Sequence, residues 1–421
     1  MIRNHKYYKM SESRKNLNAS LSWLIVTVFS LFLITGCEKG NTISEAQSES
    51  FIKFFGGSYY DIANYAIQTP DGGYIFTGTT TNVKGGSPLD TDILLEKTDK
   101  YGNARWKIKK FGNKFDDQGN CIAAAPDGGY YIIGTSTDTT SISNTPQTNM
   151  ILLKVDANGN MKWEQTYGGI DNDGGNNIQV MDGGDLILAG YTSSYGNGGR
   201  DAWLVKTDKD GNMIWSETYG GKEDDEADFV QQTQDGFIFT GSTKSFPSVS
   251  DHSNVFIVKT NSLGKATQQI APGGDGNDKG TCIRADGNGG FYYLATSESK
   301  DQNVSQIILS HIQSQINITS WTANFGESEF FAAGNFQVME NGDFIISGTQ
   351  KVSDESNMIL IWASSKDGSL LKMNLFGNAG ASQQATGVLQ TSDNGFLLYG
   401  NNDYEGNSMA TLIRTNQQGD L

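Results

Sequence analysis

Histidine, cysteine and proline are scarce in this 421-residue chain, which has three, three and six of them. A Ser/Cys–His triad or a zinc site draws on the first two residue types, so the chain offers no cluster that could build either. His5, His252 and His311 stand far apart, and His311 occupies a stretch where corresponding positions carry Lys or Arg, which reads as a structural role. Phosphate-cradling G-x-G-x-x-G and Walker loops are missing. Positive charge is also in deficit, with 31 Lys and Arg against 47 Asp and Glu. So acidic a surface argues against nucleic acid and other polyanions as partners. No apolar run reaches the roughly 20 residues of a comfortable membrane span. Helical spacing of apolar residues is absent throughout. Beyond Cys37 only Cys121 and Cys282 remain, on the first strands of two separated units. They read as small buried thiols, without a disulfide framework.

What the chain does have is repetition. An aromatic–Gly–Gly-like signal recurs at Phe55-Gly56-Gly57, Phe111-Gly112-Asn113, Tyr167-Gly168-Gly169, Tyr219-Gly220-Gly221, Pro272-Gly273-Gly274, Phe325-Gly326-Glu327 and Phe376-Gly377-Asn378. The intervals are 56, 56, 52, 53, 53 and 51 residues. Periods of this size mark solenoids, propellers or arrays. Within the second unit, Cys121 to Ala125 and Tyr130 to Gly134 flank Asp127-Gly128-Gly129. The run Met150 to Leu153 then precedes the turn Asp156 to Asn160 and Met161-Lys162-Trp163. Four short β-like segments with turn chemistry between them predict a four-stranded sheet. Asp-Gly supplies the positive φ angles of a two-residue hairpin turn, and Asp-x-x-Gly-Asn suits a bulged one. Continuous apolar third strands, such as Ile93-Leu94-Leu95 and Phe256-Ile257-Val258, are expected where both faces of a sheet are covered.

The seventh unit stops at Gly419-Asp420-Leu421, short of the Trp-bearing fourth strand that other units have. Phe51 stands four residues before Phe55, as Trp163 does before Tyr167. The expectation is an all-β, seven-bladed propeller of four-stranded blades over residues 51–421, its ring closed by the N-terminal strand. An open array would instead need polar caps. The repeat resembles that of bacterial lipoprotein propellers, which read aromatic-Gly-Gly, Asp-Gly-Gly-Tyr, Gly-Thr and Asp-x-x-Gly-Asn-x-x-Trp. Tyr167 through Trp215 follows this pattern closely over one period. Its Trp turn is similar to the tryptophan-docking turn of quinoprotein-type propellers and one residue shorter. The resemblance speaks to fold and little to function.

Arg3, Lys6, Lys9, Arg14 and Lys15 precede the apolar stretch Leu21 to Ile34, the form of a secretory signal. Ile34-Thr35-Gly36-Cys37 resembles a lipobox, which implies cleavage after Gly36 and lipidation of Cys37. Residues 1–36 are then the signal peptide and 37–50 the lipidated cysteine and a polar tether. Acyl chains anchor without spanning. Glu38 fits an outer-membrane destination in families where that position sorts. Removing residues 1–36 takes away five Lys/Arg and one Glu, leaving 26 basic against 46 acidic residues, a charge of −20.

Carboxylates are the chemistry present in quantity. Asp61, Asp117, Asp173, Asp225 and Asp278 each stand six residues after an aromatic–Gly signal, with Phe331 and Ser382 at the last two positions. Asp accepts backbone N–H groups in tight loops, so repetition favours a structural role. The alternative is a ring of ligand-binding acids at the channel mouth. Calcium, which takes about six to eight oxygens, stays open at Asp171-Asn172-Asp173 and at Glu223-Asp224-Asp225-Glu226 with Asp228. On the same face, Tyr59-Tyr60, Phe330-Phe331 and Tyr404 offer aromatic surfaces beside Asp117, Asp173 and Asp225, suited to stacking on sugars or anchoring a protein segment. The leading expectation is a monomeric, lipid-anchored, non-catalytic binding module of the cell envelope for a glycan or protein partner. The alternatives are a glycoside-hydrolase-like (endoglucanase-type) protein, which needs two suitably spaced carboxylates, and an envelope assembly scaffold.

Overall fold

Each unit folds into the same four strands, and the third shows why. Asp173–Val180, Leu186–Thr192, Asp201–Thr207 and Met213–Tyr219 lie antiparallel in sequence order. Leu186 to Ala189 and Ala202, Leu204 and Val205 are wholly buried, because neighbouring sheets cover both faces of the two middle strands. The core is accordingly a set of inter-sheet clusters. Ile187 and Leu204 of one sheet meet Phe239, Phe256 and Val258 of the next. The computed structural model describes residues 7–8 and 49–421, apart from 57–58, 85–86, 139–145, 247–250, 300–303, 327–328 and 379. Cys37 and nearly all of the expected signal peptide and tether lie outside the described residues.

Residues 61–111, 117–167, 173–219 and 225–270 form four separate four-stranded sheets. From residue 278 onward strands of the same pattern are linked through single parallel bridges, Ser305 to Phe330 and Ser356 to Ser382. Phe51–Phe55 runs antiparallel to Asn407–Thr415, with Phe51 opposite Arg414. All described elements are strands, and four-stranded sheets stacked face to face are the β-propeller architecture.

Two turns recur. In the Asp-x-x-Gly-Asn turn, Asp156 Oδ1 accepts the N–H groups of Asn158 (2.9 Å) and Asn160 (2.8 Å). These bonds, Asn160 foremost, pull its pKa down to about 2. The turn glycine is also a docking point for the preceding unit. A Cβ on Gly211 would stand 2.9 Å from the Trp163 ring, and one on Gly102 would stand 2.6 Å from the Phe51 ring. Phe51 thus meets the first unit as Trp163 meets the third.

The Asp-Gly hairpins differ from the two-residue form expected. The ladder ends at Ala124 and Tyr130, so residues 125–129 form the loop. Only Gly128 (φ 84°) is left-handed. Asp127 serves as a carboxylate: it accepts the Gly129 N–H and pairs with Lys154 at 2.6 Å, a bond that holds its pKa below the usual range. The same third-strand cation meets the hairpin acid elsewhere, as Lys206–Asp185 (3.2 Å), Lys259–Asp235 (3.3 Å) and Arg414–Asp393 (2.5 Å). In the fifth unit His311 fills this role against Asp286 at 2.9 Å, its ring on Tyr292, the structural place expected for it. Cys121 and Cys282 are buried free thiols.

Candidate functional site

The inner strand of each unit carries a β-bulge at one position. The ladders skip between Ala63 and Tyr65, Gly119 and Cys121, Gly175 and Asn177, Ala227 and Phe229, Gly280 and Cys282, Ala333 and Phe336, and Ala385 and Gly387. The residue before the bulge is Gly or Ala every time, because the neighbouring sheet comes close there. A Cβ on Gly119 would lie 2.4 Å from Thr77 Oγ1, and one on Gly280 2.0 Å from Thr240 Oγ1. A bulged residue has no ladder partner, and its side chain is re-aimed.

The bulged side chains reach from unit to unit. Asn64 Nδ2 donates to Gly119 O (2.8 Å), Asn120 Nδ2 to Gly175 O (2.8 Å) and Asn176 Nδ2 to Ala227 O (3.1 Å). Thr386 Oγ1 donates to Ala63 O at 2.7 Å. In the fourth unit the position is Asp228, a carboxylate that cannot donate. It accepts instead, taking Lys279 Nζ at 2.9 Å, and Lys279 stands 3.6 Å from Glu226. Glu226 also pairs with Arg200, whose guanidinium lies 4.2 Å from the Tyr191 ring centroid. Asp228 and Glu226 hold the Lys279 ammonium well above its ordinary pKa. Burial pushes Asp228 upward against the pull of Lys279.

These residues line a polar cavity of about 320 Å³. Asn120, Asn176, Thr281 and Thr386 supply amides and hydroxyls, Asp228 and Lys279 a charged pair, and the small Ala333, Gly334 and Ala385 leave the remaining wall low. Cavities of this size with a few convergent polar groups suit a small polar ligand or the tip of a larger one.

The repeated aspartates turn away from it. Asp117, Asp173 and Asp225, expected among the ligand-binding residues, are 0 % exposed. Asp173 accepts the Gly169 N–H (2.8 Å) and Ser194 Oγ–H (2.7 Å), Asp225 the Gly221 N–H (2.9 Å), and Asp117 the Asn113 N–H (2.7 Å). Each carboxylate pins the glycine loop that leads into its own strand. That use corrects their placement at a mouth. Phe331 is buried as well, its ring filling the space beside Gly326 that Asp61 fills beside Gly56.

The other aromatic candidates do reach solvent. Tyr60, Phe330 and Tyr404 are 47 %, 39 % and 44 % exposed. Tyr59 and Tyr60 lie against the last hairpin, where Tyr59 O accepts the Ser408 N–H and Tyr60 bridges Ser408. Burial and the charge of Asp403 raise the Tyr60 pKa. Tyr404 closes that hairpin opposite Asn407. Phe330 stands apart, at its bridge to Ser305. Among the described residues no three His, Cys, Asp or Glu side chains converge as ion ligands. In sequence Asp228 is one of a run of acids with Glu223, Asp224, Asp225 and Glu226. Its signal was the position itself, three residues after the repeated Asp, which reads Asn, Asn, Asn, Asp, Thr in the first five units.

No family model and no curated protein sequence matches this chain. Among solved structures, it is similar to Sqt1 of Chaetomium thermophilum bound to the N-terminus of the ribosomal protein L10, at 10 % identity and a TM-score of 0.47 over 86 % of this chain and 98 % of that one. It is also similar to the β-propeller domain of the Trilobed protease from Pyrococcus furiosus, at 9 % identity and a TM-score of 0.45 over 88 % and 98 %. A protein of unknown function from Bacteroides caccae aligns at 10 % identity and a TM-score of 0.39 over 71 % and 93 %.

Proposed function

We propose that this chain is a seven-bladed propeller, closed by its N-terminal strand and lipid-anchored through Cys37 to the cell envelope, that binds a glycan or a protein segment without transforming it. The observation that carries the binding reading is the break in the repeat at Asp228 and Lys279. The amides and hydroxyl that join units at this position, Asn64, Asn120, Asn176 and Thr386, give way in the fourth unit to a carboxylate, whose pair with Lys279 faces a 320 Å³ cavity. Closure is supported by the Phe51–Phe55 pairing with Asn407–Thr415, by Phe51 over Gly102, and by the Thr386 to Ala63 bond. Tyr60 and Tyr404 offer flat amphipathic surface for the larger part of such a ligand.

The glycosidase alternative needs one carboxyl group holding a proton and another free to act on the sugar. Glu226 and Asp228 share the Lys279 ammonium, and Arg200 takes the other Glu226 oxygen. That engagement favours binding over hydrolysis.

A glycan array and a pull-down from envelope extract, run in parallel, test the reading. Tyr60→Ala and Lys279→Gln should each weaken the captured ligand by about 2 kcal/mol, roughly thirtyfold, with Tyr60→Ala leaving the melting temperature nearly unchanged. Undiminished capture by both variants would remove the site from consideration. For the anchor, Cys37→Ala should move the protein out of the membrane fraction or leave it unprocessed. Normal membrane fractionation and processing of that variant would refute lipidation.

A further inference from the structure

Three residues along the inner strand of the fifth unit from Thr281, about 10 Å further on, stands Arg284. The ionisable groups that face its guanidinium are Cys282 on its own strand, Tyr65 of the first unit and Tyr399 of the last. A side chain that meets units on the far side of the propeller lies at its centre. The guanidinium sits 4.7 Å from the Phe229 ring centroid, among neighbours that are themselves buried: Cys282 at 0 %, Tyr399 at 1 % and Phe229 at 6 % exposure. Nε is buried with no hydrogen-bond partner.

Arg284 differs from the other enclosed cations. Lys154 has Asp127 and Arg414 has Asp393. No carboxylate pairs with Arg284 among the described residues, in a chain with 47 acidic side chains. Burying a charge without a counter-charge is costly.

Its flanks supply donors. At the same ladder register, Gln179, Gln231 and Gln337 face Ile187, Ile238 and Ile345 as Arg284 faces Tyr292. Gln231 Oε1 accepts the Ala285 N–H (2.9 Å) and Gln337 Oε1 the Gln390 N–H (2.8 Å). With the carbonyl ends committed, the Nε2 groups are what each side chain has left to offer. The strands on either side of Arg284 thus each bring an amide donor to its level.

We propose that Arg284, flanked by Gln231 and Gln337, is an oxyanion-binding site at the centre of the propeller, taking a carboxylate or phosphate group. A guanidinium presents its N–H groups as a planar fork that matches two oxygens of such a group at once. The site is independent of what binds at the Tyr60 rim.

The test follows unfolding temperature and isothermal titration of the full chain in chloride buffer at fixed ionic strength, adding sodium acetate in one arm and inorganic phosphate in the other. The wild type should bind one equivalent of at least one anion and melt higher in its presence; the responding arm identifies the chemistry. Arg284→Gln should weaken that binding at least about tenfold. In chloride alone it should melt no lower than wild type, because an unpaired charge has been removed. Arg284→Lys, which keeps the charge and loses the fork, should bind more weakly than wild type, and it carries the test should the glutamine variant not fold. No wild-type response beyond the chloride control, or an equal response in the variants, would overturn the site and leave Arg284 to its Tyr65 and Cys282 neighbours.

Discussion

Glu96→Leu is expected to stabilise the protein by about 2–4 kcal/mol at pH 7. Glu96 lies on the third strand of the first unit opposite Phe76, where five other units place Leu153, Val205, Val258, Ile361 and Ile413 and the fifth unit places Ser310. It is 1 % exposed, and neither carboxyl oxygen has a hydrogen-bond partner. Burial pushes its pKa up to about 8. The folded pKa therefore exceeds the unfolded one, and between the two the folded chain holds a proton that the unfolded chain has released. Stability linked to that proton is fully present below the unfolded value and is lost as pH rises towards 8. At about 1.4 kcal/mol per pH unit this amounts to about 3 kcal/mol by pH 7. Urea unfolding at pH 5, 7 and 9 checks both halves: the variant should gain at pH 7 and show a flatter decline above pH 5. A variant less stable than wild type at pH 7, or one with an unchanged pH slope, would sink this account. The acid limb has the opposite origin. The depressed carboxyls of Asp127, paired with Lys154, and of Asp156 in its turn contribute stability that is present above their unfolded pKa and lost as pH falls through the folded one, and Glu96→Leu should leave that limb alone.

The units themselves were legible because their punctuation is chemical. Glycine at a left-handed turn and an aromatic four residues from the next glycine signal leave traces that a fixed period exposes, and the spacing that aligns Phe51 with the tryptophans corresponds to its ring lying over Gly102. The five repeated aspartates were legible as a set and ambiguous in use. Only the N–H groups of Gly169, Gly221 and Asn113, which they accept, separate a loop anchor from a ligand. The charged pair at the cavity was hidden for a different reason. A bulge shifts which side chain faces the centre, and Asp228 and Lys279 lie on different strands 51 positions apart in sequence. The small residues before each bulge, Gly119, Gly175 and Gly280 among them, were the available sign, but in a chain with 51 glycines they looked like turn residues. Arg284 was hidden in the same way, since its neighbours come from the first, fourth and last units.

Deleting residues 50–55 is expected to have the largest effect of any change proposed for this chain. Five consecutive ladder pairs join Phe51–Phe55 to the last strand, from Phe51–Arg414 to Phe55–Ala410. Removing them bares the edge of a strand whose Ala410, Leu412 and Ile413 are buried, and an unpaired apolar edge both loses burial and invites association. Phe51, 9 % exposed, sits 6.2 Å from the Tyr74 ring and over Gly102, while Phe55 meets Phe76 at 5.1 Å. Both rings therefore tie the last unit to the first. Loss of a buried phenylalanine alone costs about 3–5 kcal/mol. With Phe55 and the ladder added, the total should exceed about 5 kcal/mol, comparable to the whole stability of many domains. The part-buried contact of Lys53 Nζ, donating to Asn103 Oδ1 at 3.3 Å, is lost too, and adds about 1 kcal/mol. The single change Phe51→Ala separates docking from strand pairing, since it keeps the backbone ladder and empties the place over Gly102. It should retain a cooperative transition at a lower denaturant midpoint, whereas the deletion should broaden the transition or abolish it. A deleted chain that unfolds at the wild-type midpoint would mean that the first and last units hold together without this strand, and the closure proposed for the propeller would fall with it.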